Sequence, residues 1–385
     1  MGKLSKFFFF CFLLFIAAEI LLRGILAFRV GPDVLYYGTS FYKKEAITKT
    51  ERYKKQLLKT VKTNDSVKRH ENKKGKYSKY YPNQIRFDRN EKERFKVRIN
   101  TKGFRGEDYN IKKSSGVLRI INLGASSTFG YGDKDNETYP YYLEQFMNEN
   151  KIYKSQKITV EVINLGIPHL TSEEVQNLFI EEAIPLNPDV VTYYGGLSDA
   201  HETFRSHARR KIPEGFKHNL KRLLTVEMLL HVYRDKTKYS KNDYNDHVEG
   251  KERNFINNLS NINKACKIRN IKFYVITQQV KSYMFNDEDI KNISYEKEIE
   301  IVRQKFKEME INTFERDLLS HSVLMEKVKI WADINHVSII DGIKALDDHR
   351  DLLTSYVHLS PEGNYILAKT IADRILQDFE LLPRN

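Results

Sequence analysis

A chain of 385 residues has room for one full α/β core together with a membrane segment and a linker, so one domain plus appendages is expected. Its formal charge of +13 lies entirely in Phe41–Asn100, which holds twenty Lys/Arg against seven Asp/Glu, while the remainder is neutral. With no recognised binding module beside it, that basic stretch argues against nucleic acid as a partner and for a contact with anionic lipid or an acidic polymer.

Residues Phe7–Ala18 are twelve uninterrupted apolar residues, and the apolar character resumes over Ile20–Phe28 around Glu19 and Arg23, which are spaced to pair on one helical face. The whole stretch 7–28 is long enough to span a bilayer. Ile16-Ala17-Ala18 is a poor cleavage site, so residues 1–29 are expected to be an uncleaved transmembrane signal anchor rather than a cleaved signal. Lys3 and Lys6 precede the span, and Arg29, Lys43, Lys44 and Lys49 follow it, so charge bias alone does not orient it. Residues 30–99 show little periodicity and are expected to form an exposed basic stalk with short elements. Cys11 lies in the apolar run and Cys266 in an amphipathic helical pattern, which speaks against a disulfide between them and offers no metal site.

From residue 100 the pattern changes to alternating strands and helices. Val117–Leu123, Ile158–Leu165, Asp189–Tyr194, Lys272–Ile276 and Val337–Ile340 read as buried strands. Between them lie a helix over Tyr139–Met147, one introduced by a Thr171/Glu174 capping box, and one with Phe255, Leu259, Ile262 and Cys266 at core spacing. An insertion covers about 201–249. Strands separated by helices imply a parallel sheet covered on both faces, with ligands bound beyond the carboxyl ends of the strands.

Those strand ends carry the chemistry. The first reads Leu123-Gly124-Ala125-Ser126-Ser127-Thr128, a serine just past a buried strand. The second, Asn164-Leu165-Gly166-Ile167-Pro168, offers a glycine N–H, and the third, Gly195-Gly196-Leu197-Ser198-Asp199, offers a hydroxyl. The last, Tyr356-Val357-His358-Leu359-Ser360-Pro361, places a histidine before a helix with Ser360 as N-cap, Pro361 at its first position and Leu367, Ile371 and Ile375 as its buried stripe. Each junction alone reads as an ordinary turn; their recurrence at successive strand ends is the signal. His169 and His201 sit beside two of these junctions and are expected to be solvated loop residues. No phosphate-cradling or metal-ligand spacing is present, and no cofactor is expected.

Taken together, the four junctions resemble the four sequence blocks of the SGNH/GDSL hydrolase superfamily. The resemblance runs from about Asn100 to Leu376, and the lead-in Asn100-Thr101-Lys102-Gly103-Phe104-Arg105-Gly106 is similar to a stretch of membrane-anchored bacterial members. It implies a three-layer α/β/α, flavodoxin-like fold with a five-stranded parallel sheet over residues 100–385. It also implies Ser126 as nucleophile, His358 as its base, and the Ser126 and Gly166 N–H groups with Ser198 as oxyanion donors. Ala125 stands where the family has Asp. Ser198 replaces the family's Asn, and Ser355 stands where the triad Asp is usual, so Ser355 itself, or Asp341 or Asp351 from elsewhere, is left to orient the imidazole. The activity implied is that of a serine esterase or acyltransferase on short-chain acyl esters, O-acetyl groups of an envelope glycan above all, in a single-pass, extracytoplasmic membrane protein. The alternatives are a degenerate domain that binds polysaccharide without chemistry and a lipid ester hydrolase at the membrane surface.

Overall fold

The structure is a computed structural model in which residues 10, 12, 14–21, 69–71, 76–90, 93–201, 241–308 and 311–380 are described. The chain divides into two units, one of residues 1–64 and 205–239, the other of residues 65–204 and 240–385. Of the first unit only residues between 10 and 21 are described; they are helical, with Phe12, Leu14, Ile20 and Leu21 exposed and Glu19 buried. No helix among the described residues is long and apolar enough to cross a membrane. The expected anchor over 1–29 lies largely outside the described residues, as do residues 202–240 of the expected insertion.

The second unit begins with two short antiparallel pairs, β1 (Arg69–Glu71) with β2 (Ser78–Tyr80), and β3 (Ile85–Arg89) with β4 (Arg94–Arg98). Residues 76–99 of the expected stalk fall in the same folded unit as residues 100–201 and 241–380. In β4, Phe95 and Val97 point inward while Arg94, Lys96 and Arg98 stay in water. That period of two marks a half-buried strand. The density of lysine and arginine around it hides the pattern in the sequence. Tyr80, Phe95, Val97 and Ile99 form a small core with Phe129.

The five apolar runs form the sheet: β5 (Val117–Gly124), β6 (Thr159–Asn164), β7 (Val190–Tyr194), β8 (Lys272–Ile276) and β9 (Ser338–Ile340). All neighbours are parallel, in the order β6-β5-β7-β8-β9. Successive side chains enter opposite cores. Ile121, Leu123, Val191, Tyr193 and Val275 pack on one face, and Ile120, Val190, Tyr194, Tyr274 and Ile276 on the other.

Between strands run α1 (Ser126–Phe129), α2 (Tyr139–Glu149), α3 (Ser172–Leu178), α4 (Leu197–Ala200), α5 (Lys241–Ile268), α6 (Tyr295–Glu308) and α7 (Thr313–Asn335), and α8 (Pro361–Glu380) closes the fold. Val175 of α3, Phe255 and Leu259 of α5, Val302 of α6 and Val328 of α7 cover the first face, whereas Leu143 of α2 and Leu367 and Ile371 of α8 cover the second. The result is a three-layer sandwich. The capping box at Thr171 forms as expected. Cys266 is a free buried thiol in the α5 stripe.

The strand order reverses at β5, whose neighbours on its two sides are reached by the next two crossovers. A crevice opens at such a switch point beyond the carboxyl ends. Ser126, Gly166 and Ser198 all follow strands that meet there.

Candidate active site

Ser126 is the first residue of α1, immediately beyond β5. His358 comes from the last loop, and its Nε2 lies 2.8 Å from Ser126 Oγ across 232 residues of chain. That loop is pinned from several sides. Ser127 Oγ donates to Val357 O at 3.2 Å, Lys281 N donates to Tyr356 O at 2.9 Å, and Tyr356 N donates to Tyr283 Oη at 2.8 Å. Ser360 caps the following helix, accepting from Gly363 N at 3.3 Å. Below it, the fully buried Arg350 pairs with the equally buried Glu298 and donates to Val280 O at 2.7 Å. The histidine is thus held by a polar frame built from the β8 end.

The glycine and serine of the middle junctions meet the same crevice in different ways. A Cβ on Gly166 would stand 2.4 Å from Phe129 N and 2.7 Å from Thr128 C, so glycine is required for that loop to lie against α1. Its N–H, expected to hold an oxyanion, instead donates to Asn164 Oδ1 at 2.9 Å, while Asn164 Nδ2 reaches Thr128 O at 2.8 Å. The Asn164 side chain turns back on its own loop and occupies that donor. Ser198 is half-buried on α4, and its hydroxyl has no partner among the described residues. Gly196 before it has φ +136, and a Cβ there would meet Met325 Cε at 2.6 Å. Asp199 accepts from Ser172 N at 3.0 Å and Ser172 Oγ at 2.6 Å, which ties the third junction to the start of α3.

Ser355, three residues before the histidine, has its Oγ 2.9 Å from His358 Nδ1. Neither Asp341 nor Asp351 supplies the missing charge to that nitrogen. Asp341 is held by Thr277 Oγ1 at 2.7 Å and Lys329 Nζ at 2.9 Å. Asp351 Oδ1 is buried with no hydrogen-bond partner among the described residues. Tyr131 stacks on the imidazole at 5.2 Å between centroids and 29° between planes, and Tyr356 lies at 6.4 Å on a tilt.

No protein-family model and no curated protein matches the chain. Solved structures do. A GDSL-like lipase from Bacteroides thetaiotaomicron is 13% identical over 68% of this chain and 89% of its own, with a TM-score of 0.38. A catalytic mutant of an acetylxylan esterase from Geobacillus stearothermophilus is 14% identical over 67% and 94%, with a TM-score of 0.39. A further acetyl xylan esterase is 16% identical over 67% and 100%, with a TM-score of 0.38. The chain is similar to GDSL/SGNH hydrolases.

Several residues around the Ser126–His358 pair carry no mark in the sequence. Gln278, just past β8, accepts from Leu197 N at 3.0 Å and donates to Ser127 Oγ at 3.2 Å, joining three strand ends and, through Ser127, the histidine loop. The strand-end rule points to it once the fourth junction is inspected as closely as the other four. Arg105, from the lead-in segment, donates to Phe129 O at 3.0 Å and Asp133 O at 2.6 Å and so closes the end of α1. His169 is exposed on its turn as expected. His201 is not: its Nδ1 pairs with Asp317 of α7, a partner 116 residues away that local reading cannot supply.

The His358 pKa is lowered to about 4, first by burial and then by the nearby positive charge of Arg86. A general base works only in its neutral form, so activity is lost as pH falls through that value. We predict that kcat/KM of an esterase reaction stays flat from about pH 8 to about pH 5 and is halved near pH 4. An acid limb at the ordinary histidine value, read from initial rates in constant-ionic-strength buffers, would contradict this placement of the base.

Proposed function

We propose that the chain is a serine esterase or acyltransferase acting on short acyl esters, with O-acetyl groups of an envelope glycan as its substrate class. The single observation behind this reading is the 2.8 Å contact between Ser126 Oγ and His358 Nε2 at the switch point of the sheet. His358 takes the hydroxyl proton as Ser126 Oγ attacks the acyl carbon. The negative oxygen that forms is met by the Ser126 N–H at the start of α1 and by the Ser198 hydroxyl. Collapse leaves the acyl group on Ser126, and the departing alcohol takes the proton from His358. Water or an acceptor alcohol then gives its proton to His358 as its oxygen attacks the acyl carbon, and Ser126 Oγ leaves with that proton, which restores both residues. With the Gly166 N–H occupied, one oxyanion donor is missing, a loss worth about 10² to 10³ in rate.

The apolar run 7–28 supports anchoring in a membrane; the placement of residues 100–385 outside the cytoplasm rests on the family resemblance alone, and an active alkaline phosphatase fused after Asn385 would support that side. The esterase reading is tested on the full chain purified in detergent. Acetate release from 4-nitrophenyl acetate and from an acetylated sugar is expected, together with a fluorophosphonate adduct on the peptide that contains Ser126. No adduct and no acetate would end it.

One observation favours the alternative of a non-catalytic, polysaccharide-binding domain. Ser355 Oγ accepts from His358 N at 2.9 Å and from Val357 N at 3.3 Å. Both lone pairs are then engaged, so its own hydrogen points to Nδ1 and leaves the proton of a neutral imidazole on Nε2. That is the wrong tautomer for a base. Releasing the long Val357 contact frees a lone pair for Nδ1–H at a cost of about 1 kcal/mol, which keeps the active tautomer within reach. The magnitude favours a slowed enzyme over a dead one.

A further inference from the structure

The basic segment before the sheet delivers one of its charges to the active site. Arg86 lies on β3, opposite Val97 in the register of the hairpin, with its side chain 11% exposed. Its guanidinium carbon is 4.8 Å from the ring centre of Tyr131 and 5.4 Å from that of Phe129, the two aromatic residues of the turn that follows Ser126. Tyr131 is the ring stacked on His358. The guanidinium and the imidazole thus both lie against the same aromatic ring.

The charge is only partly used within the chain. Nη1 donates to Tyr80 Oη at 2.9 Å, and Nη2 stands 3.5 Å from Asp88 Oδ2, long for a hydrogen bond. Asp88 is shared, since it also accepts from Gly132 N at 3.4 Å. The Nε–H and the other guanidinium hydrogens have no acceptor among the described residues. The imidazole side of this group has lost its usual anion as well: Ser355 bonds Nδ1, and Asp341 is committed to Lys329 and Thr277. The neighbourhood of the nucleophile is thus a partly desolvated cation with spare donors and no carboxylate on the histidine.

We propose that Arg86 binds a carboxylate carried by the alcohol part of the substrate, so that the chain acts on acylated acidic sugars, the uronates, in preference to neutral ones. This rests on the esterase reading. A planar guanidinium offers paired N–H donors that match the two oxygens of a carboxylate, and partial burial strengthens such a pair. Binding would also offset the positive charge that opposes formation of imidazolium on His358, the task the triad carboxylate otherwise performs. The substrate then brings into the site the charge that Ser355 does not carry.

The test uses the full chain in detergent and two substrates on one scaffold, an O-acetylated methyl galacturonoside and the same compound with its carboxylate converted to the methyl ester. The ratio of kcat/KM, acid over ester, is expected to be about tenfold or more, as for a charge-assisted hydrogen bond. Arg86→Gln should collapse the ratio, and Arg86→Lys should keep part of it. Added salt should lower it. A wild-type ratio near one, or an Arg86→Gln enzyme slowed equally on both compounds, overturns the proposal and leaves Arg86 as packing. If wild type cleaves neither compound, the esterase reading fails by itself. Arg86 is then judged by calorimetric binding of the free methyl galacturonoside, where equal affinity of wild type and Arg86→Gln sinks the proposal.

Discussion

Ser126→Ala is expected to lower acetate release by about 10³-fold or more while leaving thermal unfolding close to that of the wild type. Among the described residues the hydroxyl makes one hydrogen bond, the 2.8 Å bond to His358. The turn around it is held by other groups. Phe129 N donates to Ala125 O at 2.9 Å, Tyr139 Oη donates to Thr128 Oγ1 at 3.2 Å, and Arg105 closes the end of α1. Removing one half-buried oxygen therefore deletes the nucleophile without opening a cavity in the core. His358→Ala should be as slow, and the double substitution no slower than either, because two groups that act as one unit are not additive. Wild-type rates in Ser126→Ala, measured with the variant shown to be folded by circular dichroism, would sink the assignment of the nucleophile.

The parts of this site that the sequence discloses are those with a local cause. Buried strands appear as runs such as Val117–Leu123, and the residues just past them are chemically exposed wherever the sheet is parallel, so Ser126, Gly166 and Ser198 can be singled out without coordinates. Ser360, Pro361 and the stripe Leu367, Ile371 and Ile375 fix the start of α8 and hence the position of His358. What stays hidden is held by long-range contacts. Arg86 and Tyr131 meet only because the β3–β4 hairpin folds back on Phe129, and the strand alternation that would reveal it is crowded by basic residues. The Gly166 N–H is lost to a side chain two residues away, a matter of one rotamer that no spacing rule contains. The Arg350–Glu298 pair joins positions 52 residues apart in the interior and has no local signature.

Ser355→Asp should move the enzyme in the opposite direction, raising kcat/KM by about tenfold or more: setting the tautomer returns about 1 kcal/mol, a factor of about five, and the carboxylate charge beside the imidazole adds to it. A carboxylate has lone pairs for about four hydrogen bonds. It can therefore accept from His358 N, from Val357 N and from Nδ1–H together, where the serine oxygen must choose among them. That fixes the proton on Nδ1 and frees Nε2 as the base. The new negative charge also favours imidazolium, so the His358 pKa rises from about 4 toward the ordinary histidine range, and the acid limb of the rate profile should move up with it. Ser355→Asn separates the two effects, since an amide oxygen can accept from Nδ1–H without adding charge; its acid limb should stay where the wild type has it. A Ser355→Asp enzyme with unchanged rate and an unchanged acid limb would show that His358 is not the base. If instead the limb moves and the rate does not, proton transfer is not limiting, and the scarcity of oxyanion donors left by Asn164 and Ser198 sets the pace.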